Sequence, residues 1–293
     1  MTIFNLGSIN IDNFYQLPHL PGAGETIGAT QHAISLGGKG ANQSVAARLA
    51  GCPVHHIGAI GSDGHWCRAV LERRGVDVRD IEVTEGATGH ANICIDPDGE
   101  NMIVLMPGAN HALSWDFVRA ALDKMTAQDL LVLQNETTLV PEAAKFARGR
   151  GAKVIYSAAP FDASAVREVL PYCDLLVMNE VEATQLSAAL GVGLHEIDVP
   201  ALLVTKGAEG AIWRDQNTGQ ELRAPAFKVQ PVDTTGAGDC FIGYVAAGLD
   251  QKLPLEQVLR RASAAAALQV TRKGTAEVMP AAEEVAAFLK ARA

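Results

Sequence analysis

The chain has 293 residues, 48% of them apolar, and a formal net charge of −9. That length and apolar content suffice for one large domain with a sizeable core. The lack of a basic cluster argues against nucleic acid as a partner, the acidity speaks to solubility, and no apolar run is long enough to span a membrane.

The five cysteines (Cys52, Cys67, Cys94, Cys173 and Cys240) are scattered and form no C-x-x-C pair. They read as reduced thiols of a cytoplasmic protein. Met1 leads straight into a strand-like run, with no signal-peptide pattern. His55 and His56 are neighbours on a strand and point to opposite faces, which disfavours a shared metal.

In chain order, Ile3 to Ile9 reads as a buried strand ending in Asn10-Ile11-Asp12. Two polar side chains two residues apart share a face. At the end of a parallel strand that face meets ligands, although Asn and Asp also suit a plain turn. Leu17 to Gly24 is loop, and Glu25 to Ser35 reads as a strand of a separate small sheet. Gly37-Gly38-Lys39-Gly40-Ala41-Asn42-Gln43 then opens a helix that runs to Ala50. It is neither a Walker A loop nor a dinucleotide fingerprint, because the spacings differ. What it offers is close backbone approach to a ligand, with Lys39 and Asn42 at hand.

Val54 to Ile60 is a strand and Asp63 to Arg74 a helix stopped by Gly75. Gly89 to Ile95 and Glu100 to Met106 flank Asp96-Pro97-Asp98-Gly99, a hairpin signal. Ser114 caps a helix to Lys124. Strands then alternate with helices: Leu130 to Gln134, Pro141 to Arg150, Lys153 to Ser157, Leu175 to Met178, Glu180 to Leu190 and Ala201 to Thr205. Ala211 to Arg214 and Glu221 to Ala224 form a hairpin-like insert, and helices follow over Leu255 to Val270 and Ala281 to Arg292. Repeated strand–helix units imply a mostly parallel sheet covered on both faces, with ligands at the C-terminal ends of its strands.

The most informative stretch is Val232-Asp233-Thr234-Thr235-Gly236-Ala237-Gly238-Asp239, which leads into a small-residue helix from Phe241 to Leu249. Free N–H groups at a glycine-rich helix start make a site for an anion such as phosphate. Asp239 is then either an acid stabilised by the helix dipole or a general base beside the transferring group. Asn10, Asp12, Glu136, Asn179, Lys206 and Asp239 all fall on the same sheet edge, which points to a site for a polyhydroxy compound and a phosphate. Asn179 and Glu182 are explained by spacing alone as a helix cap with a first-turn acid.

These segments, with Pro107-Gly108-Ala109-Asn110 and Val270-Thr271-Arg272-Lys273-Gly274, resemble the ribokinase (PfkB-type) carbohydrate kinase family nearly end to end. The resemblance implies a single domain over residues 1–293: a three-layer α/β/α sandwich with a mostly parallel central sheet. A small β-sheet lid would come from segments near 13–35 and 89–106, and it often pairs two subunits in such proteins. The implied activity is ATP-dependent phosphorylation of a sugar hydroxyl, with ribose 5-phosphate as the leading product. Asp239 would be the base, and Gly236, Ala237 and Gly238 the anion hole. Asn10, Asp12, Gly38, Lys39, Gly40, Asn42 and Glu136 would hold the sugar. Asn179, Thr205, Lys206, Gly207, Gly210, Gly238 and Ser263 would contact the nucleotide.

The same resemblance implies Mg²⁺ organised by Glu182 through water. It also implies a monovalent cation, usually K⁺, at Asp233, Thr235, Gln269, Arg272, Gly274 and Val278, mostly through backbone carbonyls. Four departures stand out. Ser157-Ala158-Ala159-Pro160 stands where such proteins usually begin with Asn, and Ser263 stands where Asn or His is frequent. The Leu190 to Ala201 segment is short and lacks a helix, and Val278 replaces a small polar residue. A kinase for another sugar or a nucleoside, and a non-catalytic sugar-binding regulator, are the alternatives. The polar clamp of Asn10, Asp12, Lys39 and Glu136 favours a free sugar, and the intact Asp239 segment favours an enzyme.

Overall fold

The computed structural model describes residues 1–292. The first half of the chain forms β1 (Ile3–Leu6), β2 (Asn10–Gln16), β3 (Gln31–Gly37), α1 (Lys39–Leu49), β4 (Val54–Ile60), α2 (His65–Arg73), β5 (Asp77–Val83), β6 (Gly89–Ile95), β7 (Asn101–Met106) and α3 (Trp115–Leu122). Next come β8 (Leu130–Leu133), α4 (Val140–Gly149), β9 (Lys153–Ser157), α5 (Ala163–Val169), β10 (Leu175–Asn179) and α6 (Glu180–Leu190). The last elements are β11 (Ala201–Thr205), β12 (Ala211–Asp215), β13 (Glu221–Ala224), α7 (Ala237–Asp250), α8 (Leu255–Gln269) and α9 (Ala282–Lys290).

The large sheet has nine strands in the order β13-β12-β11-β10-β9-β8-β1-β4-β5. β11 through β5 run parallel, and β12 and β13 are antiparallel at one edge. Successive side chains point to opposite faces of a strand, and each face here has its own core. Leu130, Val132, Leu175 and Val177 join one core, with α1, α2, α7, α8 and α9. Leu131, Leu133, Leu176 and Met178 join the other, with α3 to α6. The outcome is the expected three-layer sandwich. A separate four-stranded sheet, β3-β2-β6-β7, sits beside it.

The structure corrects two boundaries. β1 ends at Leu6 and not at Ile9, so Asn10 and Asp12 begin β2 of the small sheet and do not finish a central strand. The cause is Ser8, whose carbonyl accepts from the Ala41 N–H at 2.9 Å and whose Oγ accepts from the Gly40 N–H at 3.3 Å. The chain stops pairing there in order to cap α1. The strand expected over Glu25 to Ser35 occupies Gln31–Gly37, because Gly22, Gly24 and Gly28 keep the preceding residues in a loop. Three elements have no clear sequence signal: β2, β5 and α5. The Leu190 to Ala201 segment carries only a 3₁₀ turn at Leu194–Glu196.

α7 and α1 pack at unusually short range. A Cβ on Gly243 would lie 2.5 Å from the Ala46 Cβ and 2.7 Å from the Gln43 carbonyl oxygen. Gly243→Ala must therefore push the helices apart. Overpacking of this kind costs about 1–3 kcal/mol. A urea midpoint lowered to match is the expected result, and an unchanged midpoint would refute the close contact.

Candidate active site

The site lies where α1 and α7 begin, over the C-terminal ends of the parallel strands. Gly38 has φ of 92°, and a Cβ there would meet the Ser8 carbonyl oxygen at 2.7 Å. Gly40 rests on Gly7, its would-be Cβ only 2.4 Å from the Gly7 carbonyl carbon. These two glycines let α1 start against the β1–β2 connection. That approach brings Lys39, Asn42, Asp12, Glu136 and Asp239 together.

Asp239 falls in the first turn of α7, after Gly236 at φ of 73°. Its Oδ2 accepts from Asn42 Nδ2 and its Oδ1 from Gln43 Nε2, both at 3.0 Å. Glu136 Oε2 accepts from the Lys39 N–H at 3.0 Å and also from the Ser8 hydroxyl. Glu136 Oε1 stands 4.0 Å from Lys39 Nζ. Lys39 is held above the usual lysine range, chiefly by Asp239, with Glu136, Glu182 and Asp12 adding to it against the effect of burial. A cation at a helix N-terminus opposes the dipole. The surrounding carboxylates offset that here.

Asn10 is pinned by Asn110, whose Nδ2 donates to Asn10 Oδ1 at 2.8 Å and whose Oδ1 accepts from the Ile9 N–H at 2.9 Å. Asn110 carries no sequence signal beyond its motif, yet it holds the β1–β2 turn in place. Asp12 faces Gly37, where any Cβ would fall about 2 Å from its carboxylate. Both Asn10 and Asp12 are buried. Buried polar groups of this kind suit a ligand rich in hydroxyls, which both donate and accept.

On the other side of Asp239 a cavity of about 180 Å³ is lined by Lys39, Asn179, Glu182, Thr205, Gly236 and Gly238, among others. Nothing would crowd a Cβ on Gly238, so the space before this helix start is open. The Ala237 N–H reaches back to the Thr234 carbonyl at 3.3 Å. Asn179 and Glu182 form a capping box, with Asn179 Oδ1 accepting from the Glu182 N–H at 2.9 Å and Glu182 Oε2 from the Asn179 N–H at 2.8 Å. The capping expected from their spacing is therefore present, and Glu182 still faces the cavity.

Some predicted contacts lie off this cavity. Lys206 Nζ pairs with Glu180 at 2.9 Å and Glu209 at 3.2 Å. Gly207 and Gly210 have φ of 52° and 107° and form the turn between β11 and β12. Ser263 is buried on α8, its Oγ without a partner. A larger groove of about 440 Å³ between β13 and α8 contains none of the predicted residues.

The positions expected around a monovalent cation do converge. Asp233 accepts from the Thr235 N–H at 2.9 Å and the Gly274 N–H at 3.0 Å, which ties the two loops together. Gln269 Nε2 donates to the Gly274 carbonyl at 2.8 Å, and Arg272 Nη1 donates to the Val278 carbonyl at 2.9 Å. Gln269 Oε1 is buried without a donor. An orphaned oxygen among carbonyls and a carboxylate suits a hard cation. Among the described residues, no group of three or more His, Cys, Asp and Glu is placed to hold a metal. One carboxylate with substrate phosphates is still enough for Mg²⁺.

Asp12 is the most perturbed carboxyl of the clamp, pushed from 3.8 up to about 7 by burial first, then by Glu136 and Asp239, with Lys39 opposing. Folded protein thus keeps a proton that unfolded chain releases between pH about 4 and 7, so this group's contribution to stability falls as pH rises through that window. Asp12→Asn mimics the neutral form. Its Tm, relative to the parent, should climb between pH 5 and pH 8; a pH-independent difference would contradict the shift.

Comparison with known proteins identifies the family. The pfkB family of carbohydrate kinases matches residues 2–282. A ribokinase of Haemophilus influenzae is 34% identical over 99% of this chain and 98% of its own. A deoxyribokinase of Salmonella typhimurium is 33% identical over 99% of each. The structure of an Arabidopsis thaliana ribokinase complexed with ribose and ATP superposes with a TM-score of 0.86, at 29% identity and 98% coverage of both chains. The chain belongs to the pfkB carbohydrate kinase family, phosphotransferases that act on an alcohol group.

Proposed function

We propose that the protein phosphorylates D-ribose at O5 from ATP by in-line transfer, with Asp239 as general base. The observation that carries this is the placement of Asp239. It stands at the open glycine start of α7, beside a polar clamp made of buried Asn10 and Asp12 and half-buried Lys39 and Glu136. Phosphoryl transfer needs positioning and charge stabilisation more than covalent chemistry. In this reading Asn10, Asp12, Gly38, Lys39, Gly40, Asn42 and Glu136 orient the sugar. Gly236, Ala237 and Gly238 form the anion hole for the transferring phosphoryl, with the Ala237 N–H turning to it from the Thr234 carbonyl. Asn179, Thr205, Lys206, Gly207, Gly210 and Ser263 bind nucleotide.

Glu182 would help hold Mg²⁺, which supplies charge neutralisation at the phosphates when bound. Asp233, Thr235, Gln269, Arg272, Gly274 and Val278 would hold K⁺ behind the anion hole. The named deoxyribokinase relative makes a 2-deoxy pentose the nearest competing substrate. The reduced thiols fit a cytoplasmic setting.

A positioned base contributes about 10²–10⁴-fold. Asp239→Asn should therefore bind ribose while losing at least about a hundredfold in kcat. Near-normal turnover by that variant would remove Asp239 from the role.

The single domain carries the small sheet as a lid and, in this reading, a dimer contact. All six residues of β7 are exposed; Ile103, Val104 and Met106 are each more than half exposed, as is Ile34 on β3. Apolar side chains left exposed on both edge strands of a small sheet mark an interaction surface. Light scattering should give twice the chain mass for the parent and the single chain mass for Ile103→Glu. A parent of single mass at micromolar concentration would overturn the dimer.

A further inference from the structure

Beneath α1 the buried polar side chains form one continuous hydrogen-bonded row. Its far end is fixed by the backbone. The Gly40 carbonyl can only accept, so Asn5 must turn Nδ2 toward it, at 3.0 Å. Asn5 Oδ1 is then the acceptor that faces Gln134, and Gln134 Nε2 donates to it at 3.0 Å. The same Nε2 donates to Gln43 Oε1 at 2.8 Å. With Oε1 committed, Gln43 can only present Nε2 to Asp239, at 3.0 Å. Each amide's direction follows from the one before it, back to a carbonyl that cannot reverse.

Asn5, Gln43 and Gln134 are each 1% exposed, so water does not compete for these bonds. Asn42, the other donor to Asp239, has no such lock, because its Oδ1 is buried without a partner.

We propose that Gln43 and Gln134 are positioning residues for the Asp239 carboxylate, with their polarity set from the Gly40 carbonyl through Asn5. This rests on Asp239 being the base. One donor on each carboxylate oxygen fixes the plane of the group, and the remaining lone pairs stay free for a substrate hydroxyl. A reversed Gln43 would set Oε1 against Oδ1, two acceptors face to face. Gln134 prevents that reversal without touching Asp239 or lining the cavity.

Gln134→Met keeps the bulk and removes the donor. Sugar phosphorylation by this variant should lose about tenfold to a hundredfold in kcat, as expected for a misplaced catalytic group. Ribose and ATP affinities from calorimetry should stay within about twofold, since neither ligand is touched. Adding Gln43→Leu should cost little beyond Gln43→Leu alone, because both break one network. Unchanged kcat, parallel losses in kcat and affinity, or additive losses would each overturn the proposal. If Gln134→Met does not fold, Gln43→Met is read in the same way on kcat and affinity. An Asp239→Asn control separates the two levels. Full turnover there removes the base assignment itself, whereas loss there with Gln134→Met unaffected removes only the positioning role.

Discussion

The arrangement of the candidate site depends on how closely α7 approaches α1. Gly243 leaves no side chain between α7 and the α1 residues Gln43, Ala46 and Ala47. That contact carries the first turn of α7 to Asn42 and Gln43, so that Asp239 meets one amide on each oxygen. A second close contact, Gly40 on Gly7, sets α1 against the end of β1. Two backbone approaches that only glycine permits thus decide where three carboxylates and one lysine come to rest.

Bringing those charges together has a cost, and the structure shows where it is carried. Asp12 is pushed up to about 7, by burial and then by Glu136 and Asp239, and Lys39 is raised by the same acids. Active sites commonly hold such perturbed groups. Asn110, Ser8 and the buried amides around Gln134 hold the arrangement against its own repulsion. His56 closes the row: its Nδ1 lies 2.8 Å from Ser44 Oγ, and burial holds the ring down to about 4, neutral at physiological pH.

Much of the fold was legible where local signals agree with tertiary demands. Val54–Ile60, Lys153–Ser157, Glu180–Leu190 and Ala201–Thr205 match their expected bounds, since apolar runs there end at caps, glycines or polar residues. β5 was hidden because Asp77, Arg79, Asp80 and Glu82 interrupt its apolar pattern. It is an edge strand, and its buried Asp80 is paired with Lys124 at 2.6 Å. α5 is short, although Asp162 caps it by accepting from the Ser164 and Ala165 N–H groups. The end of β1 could not be read locally, because a contact with α1 more than thirty residues away decides it. The glycine motifs and their flanking acids exposed the site. Asn5 and Gln134 did not stand out. Their only mark is an amide inside or just after an apolar strand, and its meaning depends on partners distant in sequence.

The central claim is transfer of the γ-phosphoryl of ATP to a sugar hydroxyl. Incubation with Mg·ATP and D-ribose, followed by phosphorus NMR of the product, tests it most directly. A phosphomonoester on the primary O5 carbon, formed in step with ADP, is the predicted result. ATP hydrolysis to inorganic phosphate with ribose unmodified, or no turnover while ribose binds, would contradict it.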